Sequence, residues 1–358
     1  MLIYIDNTIA EFLKVSNLDR EQISLINDIS NANRKGFCIA SGDVNSIDAL
    51  LQQEDIDRGS LRQIRGNGTE VKNLSKLVKT VFLVTSSKAA EKRKLPDFIE
   101  GKARQFFIED AARVDFSQLC CLVGEDLNDC KFYSMIGQYF CRENKVRSFS
   151  VRFSDRHGGG GSTGRILYDC VKEQNVFALC ITDRDWKYRP SERFEAPRDG
   201  GTYIAAKKSA DKLVEENYGD KFCFFPLEVH EIENLIPLCL LEKFPGKVCN
   251  TNGLETLKKL KVIDDGTPAL YYDLKTRMKP NADHAYTSYW NDICERLGGE
   301  SWETTYYVVG RGILENVVKY IDNNGISAIL LDDYLADIWN ALGRELFTWG
   351  CVSAPTST

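Results

Sequence analysis

The sequence predicts an α/β fold in which a mostly parallel sheet is flanked by helices. Short apolar runs alternate with amphipathic stretches over the first two thirds of the chain, acidic residues follow several of those runs, and a glycine-rich turn joins one run to a helical stretch. Strands that alternate with helices are typical of parallel sheets covered on both faces. The segment before this sheet has its own α/β pattern, and the segment after it is mostly helical.

Residues 1–116 are predicted to form an amino-terminal α/β domain. LIYID (residues 2–6), FCIAS (37–41) and VFLVT (81–85) are apolar runs of strand length. REQISLINDISNANRK (20–35) groups its apolar residues near helical spacing, which favours a helix between the first two strands. SSKAAEKRK, from Ser86, is polar and basic and is expected to be an exposed helix start or connector.

Residues 117–240 are predicted to form the central parallel sheet. A helix, NDCKFYSMIGQYFC (128–141), and a glycine turn feeding a second helix, HGGGGSTGRILYDCVKEQ (157–174), separate the strands. Acids at the carboxyl ends of such strands lie where open α/β sheets place their sites. The predicted strands are LCCLVGE (119–125), KVRSFSVRFS (145–154), NVFALCITDRD (175–185) and FCFFPLEVHEIENLIP (222–237), the last running into a helix start.

Residues 241–358 are predicted to be a mostly helical extension that completes the core. ILENVVKYI (313–321) and LLDDYLADIWNALGREL (330–346) have helical periodicity. The tail CVSAPTST (351–358) is polar and small and is expected to be frayed.

The composition excludes several classes of protein. Apolar residues make up 43% and charged residues 27% of the 358 residues, as in ordinary globular domains. No apolar run reaches the about eighteen residues of a membrane span, so no membrane association is expected. The start carries Asp6 and Glu11 and no basic leader, which predicts a cytoplasmic protein. Twelve cysteines without a C-x-x-C pair, and only three histidines, predict reduced thiols and no structural zinc site.

The charge is unevenly distributed. The net charge is −6, which argues against a protein covered in positive charge for nucleic acid. Residues 145–208, however, carry thirteen Lys and Arg against eight Asp and Glu, a local balance of +5. This basic middle segment can hold a phosphate backbone, because such contacts are made by particular groups. A solvated surface without a partner is the alternative.

Acidic residues come in three groups at predicted strand ends. Alternate residues of an extended segment face the same way, so both acids of a D-x-D element can aim oxygens at one point. Hard cations such as Mg²⁺ or Mn²⁺ prefer several carboxylate oxygens plus water. Helix capping or solvent exposure is the alternative role for each acid taken alone. The candidate metal ligands are Glu125, Asp129, Asp183, Asp185, Glu231 and Glu233.

The order of these acids resembles the Toprim domain of topoisomerases, primases and related nucleases. The matching elements are a strand ending in Glu125, Asp129 with the following Phe-Tyr, and a strand ending in Asp183-x-Asp185. H-E-I-E-N-L-I-P (230–237) resembles the E-I-E-N segment of nucleases of the overcoming-lysogenization-defect type. The resemblance covers residues 118–237, a third of the chain. The glycine that usually follows the first glutamate is Asp126 here.

The resemblance implies a role for each residue of the site. Glu125 is expected to act as general acid/base or metal ligand, and Asp183 and Asp185 as metal ligands. Asp129, with Glu231 or Glu233, would complete a second metal position. Apart from the resemblance, Lys275 or Lys279 is a candidate for neutralising charge at the phosphate in the transition state, and an ordinary surface lysine is the alternative.

The implied function is a metal-dependent endonuclease acting on DNA or RNA, as an effector of anti-phage defence. The chain has no G-x-x-x-x-G-K-[S/T] motif. We therefore expect nucleotide-driven control to come from a partner ATPase or sensor subunit. The competing expectation is a catalytically idle Toprim-like protein that binds nucleic acid or acts as a scaffold.

The glycine turn is a candidate phosphate site. HGGGGSTGR (157–165) has the composition of a flexible linker, but it lies between a strand and an amphipathic helix within one motif. Backbone amides of such a turn and the start of the helix can bind a phosphate, although a purely structural turn is equally compatible. The candidate contacts are Gly160, Gly161, Ser162, Thr163 and Arg165.

Two further acids follow strands of the amino-terminal domain. Asp6 and Asp43 are placed in a way that resembles PIN-type ribonucleases. Aspartates at strand ends are also common because they stabilise turns. Recognition of a partner or signal is the alternative role for this domain.

Overall fold

The α/β class predicted from the sequence is confirmed by a computed structural model. The structure describes residues 1–191, 193–246, 248–276, 284–298 and 306–354. Two four-stranded, fully parallel sheets are flanked by helices, and a short two-stranded antiparallel ribbon joins distant parts of the chain. Across these residues, no helix is both long and apolar enough to cross a membrane.

The first sheet has strand order β2-β1-β3-β4. The three predicted strands are present within two residues of their expected starts, whereas β4 was not predicted. That strand, ARQFF, is largely half-buried or exposed, so it lacks the continuous apolar run of an interior strand. In chain order the elements are β1 (Leu2–Ile5), α1 (Thr8–Leu13), α2 (Arg20–Arg34), β2 (Ile39–Gly42), α3 (Val44–Leu50), α4 (Arg58–Gly66), α5 (Gly68–Leu74), β3 (Val81–Thr85) and β4 (Ala103–Phe107).

The second sheet has strand order β7-β5-β8-β9. Its central strands β5 and β8 are almost entirely buried, as their continuous apolar runs predict. All four strands run in the same direction, so their carboxyl ends share one edge. The elements are β5 (Cys121–Gly124), α6 (Leu127–Glu143), β6 (Phe149–Val151), β7 (Ser154–His157), α7 (Thr163–Tyr168), β8 (Ala178–Asp183), α8 (Gly201–Glu215) and β9 (Phe222–Leu227).

The carboxyl-terminal part is mostly helical, as predicted. Its last helix packs so closely against α6 that a Cβ added at Gly343 would lie only 2.7 Å from Phe140 Cβ. Trp339 adds edge-on ring contacts with Phe132 and Tyr139 of α6. The elements are α9 (Leu238–Leu241), α10 (Thr251–Leu260), α11 (His284–Arg296), α12 (Ile313–Asn324), α13 (Ala336–Gly350) and β10 (Cys351–Ser353).

Two predicted segments differ in the structure. KVRSFSVRFS (145–154) was expected to be one strand, but β6 and the following β7 belong to different sheets. The cause is a distant partner: β6 pairs antiparallel with β10, and Arg152 N donates to Gly350 O. The same pairing corrects the expectation of a frayed tail, because Cys351–Ser353 is a strand; residues 355–358 lie outside the described part of the chain.

An aromatic cluster packs between the two parallel sheets. Phe82 and Phe106 come from the first sheet, Phe116 and Phe177 from the segments that enter β5 and β8, and Trp349 from α13. Ring pairs of this kind contribute about 0.5–1.5 kcal/mol each beyond burial alone. The hydrophobic core therefore continues across both predicted boundaries, near residues 116 and 240, and the division into three domains stays a prediction.

The cysteines provide a test of the expected reducing compartment. No disulfide joins any of the twelve, of which ten are buried and two, Cys223 and Cys239, are half-buried. We expect a thiol reagent to modify about two thiols in the native, unreduced protein and twelve after denaturation, because burial blocks access. Recovery of many fewer than twelve thiols after denaturation would contradict reduced cysteines and the compartment inferred from them.

Candidate functional site

The carboxyl-terminal edge of the second sheet forms one acidic cleft of about 500 Å³. Glu125 follows β5, Asp183 ends β8, and Glu231 and Glu233 follow β9, so the parallel topology places them at one edge. We call this feature the acidic cleft. All six acids predicted as metal ligands line it: Glu125, Asp129, Asp183, Asp185, Glu231 and Glu233.

The start of α6 positions the first pair of acids. Asp126 is the helix N-cap and accepts from Asn128 N at 2.8 Å, while its own N–H donates to Asp129 Oδ2 at 2.8 Å. This reciprocal cap gives Asp126 a structural role at the first turn of the helix. Asp129 therefore both caps the helix and lines the acidic cleft.

Burial and crowding shift the pKa values of these acids upward. Burial, helped by Asp185, raises the pKa of Glu125 to about 7. Burial raises the pKa of Asp129 to about 7 as well, against the hydrogen bond from Asp126 N. Burial also raises the pKa of Asp183 well above its usual value, and Glu125 and Asp129 add to that shift. A cation would reverse this effect by favouring the ionised carboxylates.

Contacts of Arg184 hold the D-R-D element, residues 183–185, in place at the end of β8. Arg184 Nε donates to Asp199 Oδ1 at 2.9 Å, and its guanidinium lies 3.9 Å from the centre of the Trp186 ring. Asp185 has a left-handed backbone, φ 56°. A Cβ on Gly200 would lie 1.7 Å from Asp185 Oδ2, so a larger residue there would displace the Asp185 carboxylate.

Lysine and histidine side chains flank the glutamates that follow β9. Lys275 Nζ lies 2.9 Å from Glu233 Oε1 and 3.3 Å from Glu231 Oε2. Burial acts to lower the pKa of Lys275, but Glu233 and Glu231 outweigh it and raise that pKa. His230 is buried beside Asp273, and with Glu231 these residues can offer one ligand atom each within 4.8 Å of one another. Lys279, the other candidate lysine, lies outside the described residues.

The donor set fits a hard divalent cation. Asp183 Oδ2 accepts from Ile232 N at 2.9 Å, but the buried Asp183 Oδ1 has no hydrogen-bond partner, and neither has the buried Glu233 Oε2. Buried carboxylate oxygens without partners are costly unless a proton or a cation satisfies them. Several such oxygens around one open cleft are the ligands that Mg²⁺ and Mn²⁺ prefer.

The glycine turn folds back on the end of β5. Gly158 N donates to Gly124 O at 2.8 Å and Gly159 N donates to Glu125 O at 2.9 Å, so these two amides are already engaged. Among the predicted phosphate contacts, Gly160 lines the acidic cleft, whereas Gly161 and Ser162 are exposed beside it.

The two remaining predicted phosphate contacts lie on α7. Thr163 is fully buried, and its hydroxyl donates to Gly160 O at 2.7 Å, which stabilises the turn. Arg165 is exposed on α7 and is not among the residues that line the acidic cleft.

Several cleft residues had no signal in the sequence. His157 and Glu315 line the acidic cleft, the first from the end of β7 and the second from the first turn of α12. Gly200 and Asp199, which support the D-R-D element, lie fifteen residues or so beyond it. Only folding brings these residues to the sheet edge, so no local spacing could have indicated them.

The two acids of the amino-terminal domain have structural partners. Asp6 is fully buried, accepts hydrogen bonds from Thr8 N and Thr85 Oγ1 at 3.0 and 2.8 Å, and pairs with Arg93 Nε at 3.2 Å. Asp43 caps α3 by accepting from Asn45 N. These contacts give both aspartates a role in turn and cap formation, and the ribonuclease resemblance stays a prediction.

No family model, curated protein or solved structure matches this chain significantly.

Proposed function

We propose that this protein is a divalent-metal-dependent nuclease that hydrolyses phosphodiester bonds of DNA or RNA in the acidic cleft. The observation that carries the proposal is the gathering of six carboxylates at the carboxyl ends of three adjacent parallel strands, five from the segments that end or follow these strands and Asp129 from the first turn of α6, with buried oxygens of Asp183 and Glu233 left without protein partners. The resemblance to Toprim nucleases, which rests on the order of these acids, supports the same chemistry.

The residues of the cleft would have different roles in phosphodiester hydrolysis. Glu125, Asp183 and Asp185 would hold one cation, Mg²⁺ or Mn²⁺, which when bound supplies polarisation of the scissile phosphate and acidification of water. Glu125 would serve either as the proton-transfer group or as a cation ligand. Lys275 would add positive charge beside the phosphate, while Asp129 with Glu231 or Glu233 would complete a second cation position.

We further propose that the nuclease is a cytoplasmic effector of anti-phage defence that works with a partner ATPase or sensor subunit. The support is the resemblance to nucleases of the overcoming-lysogenization-defect type, together with the lack of a Walker A motif in this chain. Affinity purification of the chain from its native cells should recover such a subunit. Purification that recovers none, before or after phage infection, would count against this part of the proposal.

The nuclease proposal is tested by incubating the full chain with plasmid, single-stranded DNA and total tRNA, with Mg²⁺, Mn²⁺ or EDTA. We expect cleavage of at least one substrate with a divalent cation and none with EDTA. Asp211→Asn, a change at an exposed acid that pairs with Lys207 on α8, is the matched active control for Asp183→Asn. Retained nucleic-acid binding without cleavage under every condition would favour the catalytically idle binding protein instead.

The glycine turn and α7 give a separate prediction about binding. Arg165→Ala is expected to weaken nucleic-acid binding and to lower the slope of log affinity against log salt by about one, because one phosphate contact is lost. Arg20→Ala, which removes an equally exposed arginine at the start of α2, should leave the slope unchanged. Equal slopes for the wild type and Arg165→Ala would exclude Arg165 from the phosphate path.

A further inference from the structure

Lys275 is the only lysine or arginine among the described residues that line the acidic cleft, where it faces eight acidic side chains. Its ammonium lies 2.9 Å from Glu233 Oε1 and 3.3 Å from Glu231 Oε2. The exposed fractions of these two glutamate side chains are 9% and 21%. One ammonium therefore bridges the two glutamates and supplies the counter-charge that they need when ionised.

The backbone that carries Lys275 is held in place, whereas its side chain can move. Asp273 Oδ1 accepts hydrogen bonds from Lys275 N at 3.1 Å and from Thr276 N at 2.8 Å. The Lys275 side chain itself is 43% exposed. A lysine ammonium is a compact charge on a flexible four-carbon stem, so it can leave the glutamates for solvent without any change in the turn.

Three of the other acids of the cleft are not held by a cationic side chain in this way. None of the ion pairs formed within the described part of the chain involves Glu125, Asp183 or Asp185, and Asp183 Oδ1 has no hydrogen-bond partner at all. A first divalent cation can use these oxygens without displacing a protein cation. A second cation on the two glutamates must take the oxygens that Lys275 holds, because two positive charges at contact distance repel each other.

We propose that Lys275 gates the second cation position: one divalent cation binds at Glu125, Asp183 and Asp185 without competition, and another binds at Glu231 and Glu233 only by displacing the Lys275 ammonium. The inference rests on the proposed nuclease function for the identity of the site, but cation binding can be measured without cleavage. The gate makes cation loading sequential, and the displaced ammonium becomes free to approach a substrate phosphate beside the cleft.

Titration of the full chain with Mn²⁺, followed by the electron paramagnetic resonance signal of free Mn²⁺, tests the gate. We expect the wild type to bind one Mn²⁺ tightly and a second at least roughly tenfold more weakly, a difference of about 1.4 kcal/mol. Lys275→Met removes the ammonium but keeps most of the stem, and should bring the second affinity within about threefold of the first. Lys275→Arg should keep the wild-type difference, because the charge stays.

Lys207→Met is the matched control, because its ammonium pairs with Asp211 at 2.7 Å on an exposed part of α8. Its Mn²⁺ curve should match that of the wild type. Lys275→Gln replaces Lys275→Met if thermal melting shows that the methionine variant is unfolded.

The possible outcomes distinguish the Lys275 proposal from the nuclease proposal. Equal affinities at two sites in the wild type, an unchanged second affinity in Lys275→Met, or no Mn²⁺ binding to either protein would each overturn the gate. Cleavage by the wild type together with one of those results would leave the nuclease proposal in place. The expected Mn²⁺ curves without any cleavage would support the gate and refute the nuclease.

Discussion

Asp183→Asn and Glu125→Gln are each expected to remove nearly all nucleic-acid cleavage while the protein stays folded. Asp183→Asn keeps the shape of the side chain but removes charge that a bound cation needs, so its rate should fall at least about 100-fold, and Asp185→Asn should behave in the same way. Glu125→Gln removes a proton-transfer group or ligand, for which losses of roughly 10²- to 10⁴-fold are typical. Single-turnover cleavage rates at saturating Mn²⁺ measure these effects.

Thermal melting of the same variants separates chemistry from structure. Burial raises the pKa of Asp183, so its ionised form costs stability in the absence of a cation, and the melting temperature of metal-free Asp183→Asn should equal or exceed that of the wild type. Glu315→Gln is the control within the cleft, because Glu315 lines it but pairs with Lys319, and cleavage should stay near the wild-type rate. Folded Asp183→Asn and Glu125→Gln proteins that cut at the wild-type rate would eliminate the proposed site.

The stability of the metal-free protein is expected to fall between about pH 4 and pH 7 because of the acidic cleft. The pKa of Glu125 rises from 4.5 to about 7 on folding, and that of Asp129 from 3.8 to about 7. Over this pH window the unfolded chain has already lost protons that the folded protein still holds, so the stability that these two groups contribute is fully present below about pH 4 and is lost as the pH rises through about 7. For Glu125 alone, the rise corresponds to roughly 3 kcal/mol by pH 8.

Mg²⁺ should reverse this loss. The cation binds the ionised carboxylates, so its addition is expected to raise the melting temperature strongly at pH 8 and hardly at all at pH 5. Melting in Mg²⁺ and in EDTA at several pH values, with Glu125→Gln as the reference, isolates the contribution of the cleft from that of other titrating groups. A Mg²⁺ effect of equal size at pH 5 and pH 8 would contradict cation binding by the ionised carboxylates. A metal-free wild type that gains stability relative to Glu125→Gln as the pH rises would contradict the raised pKa of Glu125.

Much of the fold could be predicted because its signals are local. Strands β1, β3, β5 and β8 are short apolar runs, and strands buried on both faces must have this composition. Once the strands were taken as parallel, their carboxyl ends had to share an edge, so the meeting of Glu125, Asp183 and Glu231 followed from order along the chain.

Elements with distant partners could not be predicted in the same way. β6 is a strand because β10, some two hundred residues later, supplies its hydrogen bonds. β4 lies at the edge of its sheet and lacks the apolar pattern of an interior strand. In both cases the stabilising contact lies outside any local window of sequence.

The sequence by itself determined which side chains carry charge and at which edge of the sheet the acids lie. Only the tertiary structure decided how these charges are compensated: Lys275 pairs with Glu231 and Glu233, while Asp183 keeps a buried oxygen without a partner. The physical reason is the short range of the interactions that compensate these charges. Hydrogen bonds and ion pairs act over a few ångströms, and burial sets their strength, so both depend on residues that are far apart in the chain and become neighbours only on folding.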